Sequence, residues 1–285
     1  MPYFSGASSI KVALPLPEFD GWFLGQLVVA ILVLLSVWFP TLTSSKKDAN
    51  NSNKRSDQLC NEEDQMRKEL SQAHAITREF GMDELVWNHI SVLLSDKTFL
   101  ITPGDRMYDD IGPNDLIKSS GNVTADIIHS AIYKSRDDVK AIVHLHTPAT
   151  VAVSCLEMGF VPLAQEAAPL VGRVARYPWA VASNDWEEQP LIAEAIKDRK
   201  YNTLLMENHG FCTFGKTLGE AWVLAYYFDR SCQTQLNVLQ TGAKIKHPDP
   251  KVLAHAAEQA LLPGFLPGAN EWEALRKMLT RRGIK

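Results

Sequence analysis

An uncharged apolar run from Trp22 to Phe39 is the strongest hydrophobic pattern along the chain. As a helix, its 18 residues would span about 27 Å, which is close to the thickness of a bilayer core. Trp22 and Trp38 flank the run, where indole side chains favour the membrane interface, and Pro40 ends it. The pattern therefore predicts a transmembrane helix over residues 21–40.

Other interpretations of this run fit the sequence less well. A cleaved signal peptide favours positive charge before a shorter apolar stretch, whereas Glu18 and Asp20 end the tail of residues 1–20. A buried core helix would show a polar face, and this run shows none. A wrongly joined upstream exon would also explain a stray apolar segment, and that alternative stays open.

Basic residues flank the run unevenly, because only Lys11 precedes it. The basic residues that follow it closely are Lys46, Lys47, Lys54 and Arg55. The positive-inside rule therefore predicts a single-pass membrane protein whose larger C-terminal part lies in the cytoplasm. Residues 41–59 are rich in Ser, Asn, Lys and Asp, and they predict a flexible linker because they carry little apolar surface to bury.

From residue 60 onward, apolar residues repeat at helical and strand spacings in turn. The predicted helices are Glu62–Phe80, Asn122–Arg136 and a long one from Thr217 to about Leu239. The predicted strands are Ser91–Leu94, Thr98–Thr102, Lys140–His146 and Thr203–Met206. Helices and strands alternate within one domain, which predicts an α/β fold over residues 60–245. Residues 246–285 are predicted to form a helical extension.

Composition narrows the functional classes. The net charge of −4 gives no global basic field, so we expect no nucleic-acid partner. Hydrophobic residues make up 46% of the chain, enough for a sizeable core. The four cysteines form no CxxC pair, which is typical of free thiols in a reducing compartment.

Two histidines stand two positions apart in the predicted strand Lys140–His146. Because side chains alternate between the faces of a strand, His144 and His146 point the same way and can share one metal ion. His209 stands in a comparable place, at the exit of the strand Thr203–Met206. Three imidazoles with one open position are typical of catalytic zinc. On spacing alone, half-buried structural histidines remain the simpler interpretation.

Four segments carry a resemblance to a known family. They are WNHISV (Trp87–Val92), FLITPG (Phe99–Gly104), HSAIYKSRDDVKAIVHLHTP (His129–Pro148) and LLMENHG (Leu204–Gly210). With them, the chain from about Glu62 to Lys244 resembles the class II aldolase/adducin family. The resemblance implies a three-layer α/β/α sandwich on a largely antiparallel sheet, and homotetramers with active sites at subunit boundaries.

The resemblance also implies the ligand set. An HxH strand and a later NHG motif supply three zinc ligands in catalytic members, and here these positions are His144, His146 and His209. Zinc is therefore the expected divalent metal, although Fe(II) or Mn also accepts imidazole. Asn88 and Ser91 match family positions that contact substrate. Thr102 and Gly104 can offer a hydroxyl and a backbone N–H to an anion, and with Thr124 they complete the predicted substrate site.

One departure from the family pattern concerns the catalytic acid. Sugar-phosphate aldolases of the family carry a Glu four residues before the histidine that matches His129, after a pair of phosphate-binding serines. Here Ala125 stands at that position, preceded by Val123-Thr124. Glu166 and Glu207 are the remaining candidate general acids or bases near the motifs. His89 and His129 are expected to be structural.

The sequence thus predicts a metal-dependent lyase-type enzyme that acts on a small hydroxy-carbonyl or keto-acid substrate. Aldol cleavage, dehydration, decarboxylation and epimerisation all remain open, because the acid at Ala125 is missing. Two alternatives stay beside this prediction. One is a non-haem Fe(II) oxygenase that acts on an aromatic keto acid, and the other is an adducin-like, non-catalytic scaffold associated with the membrane.

Overall fold

A computed structural model gives the fold of residues 41–180 and 184–284. The predicted tail over residues 1–20 and the predicted membrane helix over residues 21–40 lie outside these described residues. Within the described ranges, no helix is both long enough and apolar enough to cross a membrane.

The first described element is a long helix, α1 (Thr41–Glu79), which replaces the flexible linker predicted over residues 41–59. That prediction rested on a lack of apolar surface, which does not by itself oppose a helix. The segment contains no Gly or Pro before Glu79, so nothing in its sequence interrupts helical hydrogen bonding. Further along the same helix, Leu70, Ala73 and Ile76 are fully buried.

Residues 58–285 form one compact unit. Its strands are β1 (His89–Leu93), β2 (Phe99–Ile101), β3 (Ala141–Leu145), β4 (Val174–Tyr177), β5 (Thr203–Met206) and β6 (Gly210–Gly215). The helices after α1 are α2 (Val123–Ser135), α3 (Pro148–Ser154), α4 (Glu188–Ala195), α5 (Leu218–Gln240), α6 (Pro250–Gln259) and α7 (Glu271–Arg282). Two short 3-10 helices cover Tyr108–Asp110 and Gln165–Leu170.

The six described strands form one mixed sheet in the order β2-β1-β3-β6-β5-β4. Strand β4 pairs with β5 in parallel, while the other pairs are antiparallel. The prediction of a largely antiparallel sheet is therefore corrected to a mixed one. The physical reason is the connection through α4, because a parallel pair needs a crossover much longer than a hairpin turn.

Apolar side chains on the two faces of the sheet belong to two separate clusters. Along β3, Ile142 belongs to one cluster while Val143 and Leu145 belong to the other, as the alternation of a strand requires. The first cluster includes Ile128 and Ile132 of α2 and Ile192 of α4. The second cluster includes residues of α1, α3, α5 and α7. Helices therefore cover both faces of the sheet, which gives an α/β/α arrangement.

The C-terminal part packs closely on the start of α5. Thr217 caps α5 by accepting a hydrogen bond from the Glu220 backbone N–H. Gly219 lies so close to Trp272 of α7 that a Cβ there would be 2.6 Å from the indole. Gly268 has a φ of +85°, and a Cβ there would lie 2.5 Å from the Gly219 carbonyl carbon. The close packing of the C-terminal part on α5 therefore depends on Gly219 and Gly268.

Replacing Gly268 with alanine is therefore expected to destabilise the protein by about 2–4 kcal/mol, through left-handed backbone strain and a clash with the backbone of α5. Gly264→Ala is the matched control, because no atom lies within 4 Å of a Cβ at that position. Urea unfolding of the purified chain measures both variants. Equal stability of the two variants would contradict the packing described here.

Candidate metal centre

Strand β3 presents two imidazoles at one end of the sheet. His144 lies within β3 and His146 follows its last residue, so both side chains leave the same face. Their Nε2 atoms are 2.7 Å apart and their ring centroids 4.5 Å apart. The prediction that the two rings point the same way is confirmed by this geometry.

His209 reaches the pair from the turn between β5 and β6. Its backbone N–H donates to the Met206 carbonyl, and the preceding Asn208 takes a left-handed conformation with φ of +56°. A Cβ at Gly210 would lie 2.6 Å from Cδ2 of His146 and 2.7 Å from the Leu145 carbonyl oxygen. The glycine after His209 therefore allows the turn to approach β3 closely.

The three histidines form a group of donors suited to one metal ion. The ring centroid of His209 lies 5.0 Å from that of His144 and 4.9 Å from that of His146. One ligand atom from each residue lies within 4.8 Å of the others. Imidazole nitrogens bound to tetrahedral zinc at about 2.0–2.1 Å from the ion lie about 3.3 Å apart, so a small widening of the His144–His146 pair accommodates the ion.

Burial keeps these imidazoles in the neutral form that a metal requires. Desolvation, together with a smaller effect of neighbouring His209, lowers the pKa of His146 to about 4. Desolvation also lowers the pKa of His209, and it holds the pKa of His144 well below its usual value. At neutral pH the nitrogen lone pairs are therefore free for coordination.

Two side chains hold the ligand residues in place. Nδ1 of His144 lies 3.2 Å from Sγ of buried Cys212, which orients the ring and leaves Nε2 directed at His146. Asn88 accepts a hydrogen bond from the His146 backbone N–H at 3.0 Å and donates to the Met82 carbonyl. Asn88, predicted to contact substrate, therefore fixes the backbone at the end of β3.

A fourth imidazole lies against the group. The ring of His89 stacks on that of His144, with centroids 4.5 Å apart and planes 21° apart. Residues 89 and 144 face each other across the β1–β3 pair. Desolvation holds the pKa of His89 well below its usual value, and the proximity of His129, His146 and His209 lowers it further. Sequence reasoning treated His89 as structural and missed this placement, because only the strand register reveals it.

Comparison with known proteins identifies the family of this chain. A family model described as the Class II Aldolase and Adducin N-terminal domain matches residues 68–236, which is more than half of the chain. The chain belongs to the class II aldolase/adducin family. A provisionally named aldolase class 2 protein of Pseudomonas aeruginosa is 28% identical over 238 residues, which cover 76% of this chain and 90% of that protein.

The family includes relatives of two kinds. Rat alpha-adducin is 29% identical over 251 residues, covering 77% of this chain but only 34% of adducin, so the likeness spans about a third of that protein. The solved structure of an aldolase II superfamily protein from Pseudomonas syringae has a TM-score of 0.71 at 27% identity, covering 78% of this chain and 94% of that chain. L-fuculose 1-phosphate aldolase from Glaciozyma antarctica shares the fold, with a TM-score of 0.67 at 23% identity, covering 79% and 93% of the two chains.

The other predicted substrate residues of this class II aldolase domain already have internal partners. The hydroxyl of Thr102 bonds to Nε2 of His74 and accepts from the Ile90 backbone N–H, and the residue is 2% exposed. The Gly104 N–H, predicted to bind an anion, donates to the Ser120 carbonyl at 2.8 Å. The Thr124 N–H donates to Asn122, which caps α2. Through these contacts the three residues stabilise the local fold.

Neither predicted carboxylate joins the histidines of the domain through a hydrogen bond or ion pair. Glu207 forms an ion pair with Arg176 at 2.6 Å, although it lies two residues before His209. Glu166 accepts a hydrogen bond from Thr234 and lines a groove with Phe265. Spacing along the chain placed both residues near the motifs, and the fold directs them to other partners.

The position of the family's catalytic acid is apolar in this chain. Ala125 is fully buried in the first turn of α2. The neighbouring Asp126 accepts hydrogen bonds from Ser119 and Ser120, so it holds the loop before α2. Asp126 is therefore committed to the fold and does not replace the missing acid.

Replacing His144 or His209 with alanine is expected to remove bound divalent metal, because two imidazoles alone hold such an ion weakly. The exposed His255, which lies beside Glu258 on α6, supplies the control variant His255→Ala. Elemental analysis after chelator-free purification and dialysis against one equivalent of zinc measures the stoichiometry. Retention of one ion by both site variants would contradict this assignment.

Proposed function

We propose that this chain is a metal-dependent lyase-type enzyme that acts on a small hydroxy-carbonyl or keto acid through His144, His146 and His209. The class II aldolase family fits a lyase of this kind. The observation that carries the proposal is the convergence of three neutral imidazoles where β3 ends and β6 begins. One ligand atom from each lies within 4.8 Å of the others. A catalytic site needs such an open set of three ligands, whereas a structural zinc site is closed by four.

Zinc suits the three nitrogen donors best, and Fe(II) or Mn is the alternative. Such an ion, when bound, supplies Lewis-acid polarisation of a substrate carbonyl or hydroxyl oxygen. The contribution of the chain is to hold the three imidazoles neutral by burial and to fix the His144 ring through Cys212. Ordered ligands of this kind require little reorganisation when the reaction occurs.

The residues around α2 favour a substrate without a phosphate. Val123-Thr124 stands where sugar-phosphate aldolases of the family carry paired serines, and Ala125 replaces their acid. The substrate class is therefore a small acid or carbonyl compound that the metal recognises through its own oxygens. Aldol cleavage, dehydration, decarboxylation and epimerisation are the reactions that a stabilised enolate supports.

Two rival functions have distinct chemical signatures. Non-haem iron oxygenases typically combine two histidines with one carboxylate, and the described donor group contains three histidines. The donor chemistry therefore favours the lyase over the oxygenase. A scaffold role is supported by the likeness to alpha-adducin, which covers 77% of this chain.

Elemental analysis of the purified chain, followed by a panel of hydroxy and keto acids, tests the proposal. We expect about one divalent ion per chain, and we expect substrate cleavage or isomerisation that disappears in His209→Ala. Oxygen consumption that depends on added Fe(II), and not on Zn(II), would establish the oxygenase instead. A wild-type protein that takes up no divalent metal would favour the scaffold.

From the family resemblance, we propose that the family domain assembles as a homotetramer. We also propose, from the sequence of residues 21–40, that the chain is a single-pass membrane protein with residues 60–285 in the cytoplasm. The uncharged run and the basic residues behind it support this proposal. Deleting residues 1–45 is expected to move the protein from the membrane to the soluble fraction. Equal fractionation of both forms in a high-salt wash would contradict the anchor.

A further inference from the structure

A chain of hydrogen bonds leads from the outer part of α2 to the histidine group. The Tyr133 hydroxyl contacts Ser91 Oγ at 2.8 Å, and Ser91 Oγ contacts Nδ1 of His129 at 2.5 Å. Nε2 of His129 contacts Nδ1 of His89 at 2.7 Å, and the His89 ring stacks on His144. His129 and Ser91 are fully buried, and 3% of His89 is exposed.

The chain of bonds has a direction, because each member must offer one proton and one lone pair. Among described residues, Ser91 is the only hydrogen-bond partner of the Tyr133 hydroxyl, so the phenol donates its single proton there. Ser91 then donates to Nδ1 of His129, whose Nε2–H donates to Nδ1 of His89. The reverse direction would leave the phenol proton without an acceptor among the described residues.

This direction leaves the remaining proton of His89 on Nε2. That nitrogen makes no hydrogen bond to the described residues, and it is not among their fully buried polar atoms that lack a partner. His89 therefore keeps an N–H that solvent can reach, on a ring held against His144. Oxyanion holes are built from donors that are fixed in this way beside the reacting group.

We propose that His89 is a further catalytic residue whose neutral Nε2–H donates a hydrogen bond to the substrate oxygen on which negative charge develops. His129, Ser91 and Tyr133 are positioning residues that fix its tautomer. This inference rests on the proposed lyase function and names the group that stabilises charge where Ala125 offers none. No proton is transferred in this role, because the imidazole acts as a polarising donor.

His89 is distinct from the metal ligands. The group of atoms within 4.8 Å of one another contains one nitrogen from each of His144, His146 and His209, and none from His89. Its Nδ1 is engaged by His129, and its ring plane lies nearly parallel to that of His144. The position beside the ligands suits a group that contacts the substrate oxygen and does not bind the ion.

The tautomer of His89 tests the direction of the chain of bonds without any metal. Long-range proton–nitrogen NMR of the metal-free wild-type protein is expected to show His89 protonated at Nε2, its signals being identified by their loss in His89→Gln. Tyr133→Phe is expected to mix the two tautomers, because it removes the donor that sets the direction. A His89 protonated at Nδ1 in the wild type would overturn the inference.

Binding of acetohydroxamate to the cobalt-substituted protein tests the role at the substrate oxygen. His89→Phe keeps an aromatic ring on His144 but removes the donor, and we expect the dissociation constant, followed by cobalt absorbance, to rise about tenfold. In His89→Gln the amide N–H lies near the place of Nε2, so we expect binding within about threefold of wild type. Both variants are expected to retain one metal ion.

The outcomes separate this inference from the proposed function. Unchanged acetohydroxamate binding in a His89→Phe protein that retains its metal would overturn the role of His89 and leave the lyase standing. A wild-type protein that takes up no metal would overturn the lyase and the substrate role together, even if His89 is protonated at Nε2. Equal loss of binding in His89→Phe and His89→Gln would assign the residue to packing and overturn the inference.

Discussion

The antiparallel pairing of β3 with β6 is the constraint on which the metal centre depends. Its register sets His144 opposite Cys212 and Leu145 opposite Phe211. The first contact orients the His144 ring, and the second brings the start of β6 against the end of β3. Because β6 begins at Gly210, His209 lies at the same end of the sheet as the last residues of β3. A shift of one residue in this pairing would turn the His144 side chain to the other face of the sheet.

Desolvation sets the chemistry of this edge. Burying several imidazoles together disfavours their charged forms, so each is held neutral unless it finds an anion. No carboxylate belongs to the described donor group, and the polar atoms behind it satisfy one another through His129, Ser91 and Tyr133. The fold thus avoids a buried charge and still places nitrogen lone pairs at one point. A divalent cation is the partner that such a set of neutral donors favours.

Much of this arrangement is accessible from the sequence, and the limits of that reading have physical causes. The spacing of two between His144 and His146 determines their common face, because alternation along a strand is local. The addition of His209 to the pair is implied by the family resemblance, because it depends on the pairing of β3 with β6. The role of His89 depends on which strand pairs with β3 and in what register, which no local pattern contains. The parallel β4–β5 pair is hidden for the same reason. For residues 41–59, composition describes what can be buried, and it does not decide whether the backbone forms the helix α1.

The replacement of an acid by a neutral donor limits the reactions that fit the site. Epimerisation and dehydration each begin with removal of a proton from carbon, which requires a positioned base. Ala125 cannot supply one, and the described contacts commit Asp126, Glu166 and Glu207 to other partners. Aldol cleavage breaks a carbon–carbon bond, but it must also remove the proton of the hydroxyl group that becomes a carbonyl, so it needs a base as well. Decarboxylation forms the enolate by releasing CO2, and no proton has to be removed first. Its main requirement is stabilisation of the negative oxygen, for which a Lewis acid and the proposed Nε2–H donor of His89 are suited. Of the four reactions considered, decarboxylation therefore requires the least from the described residues.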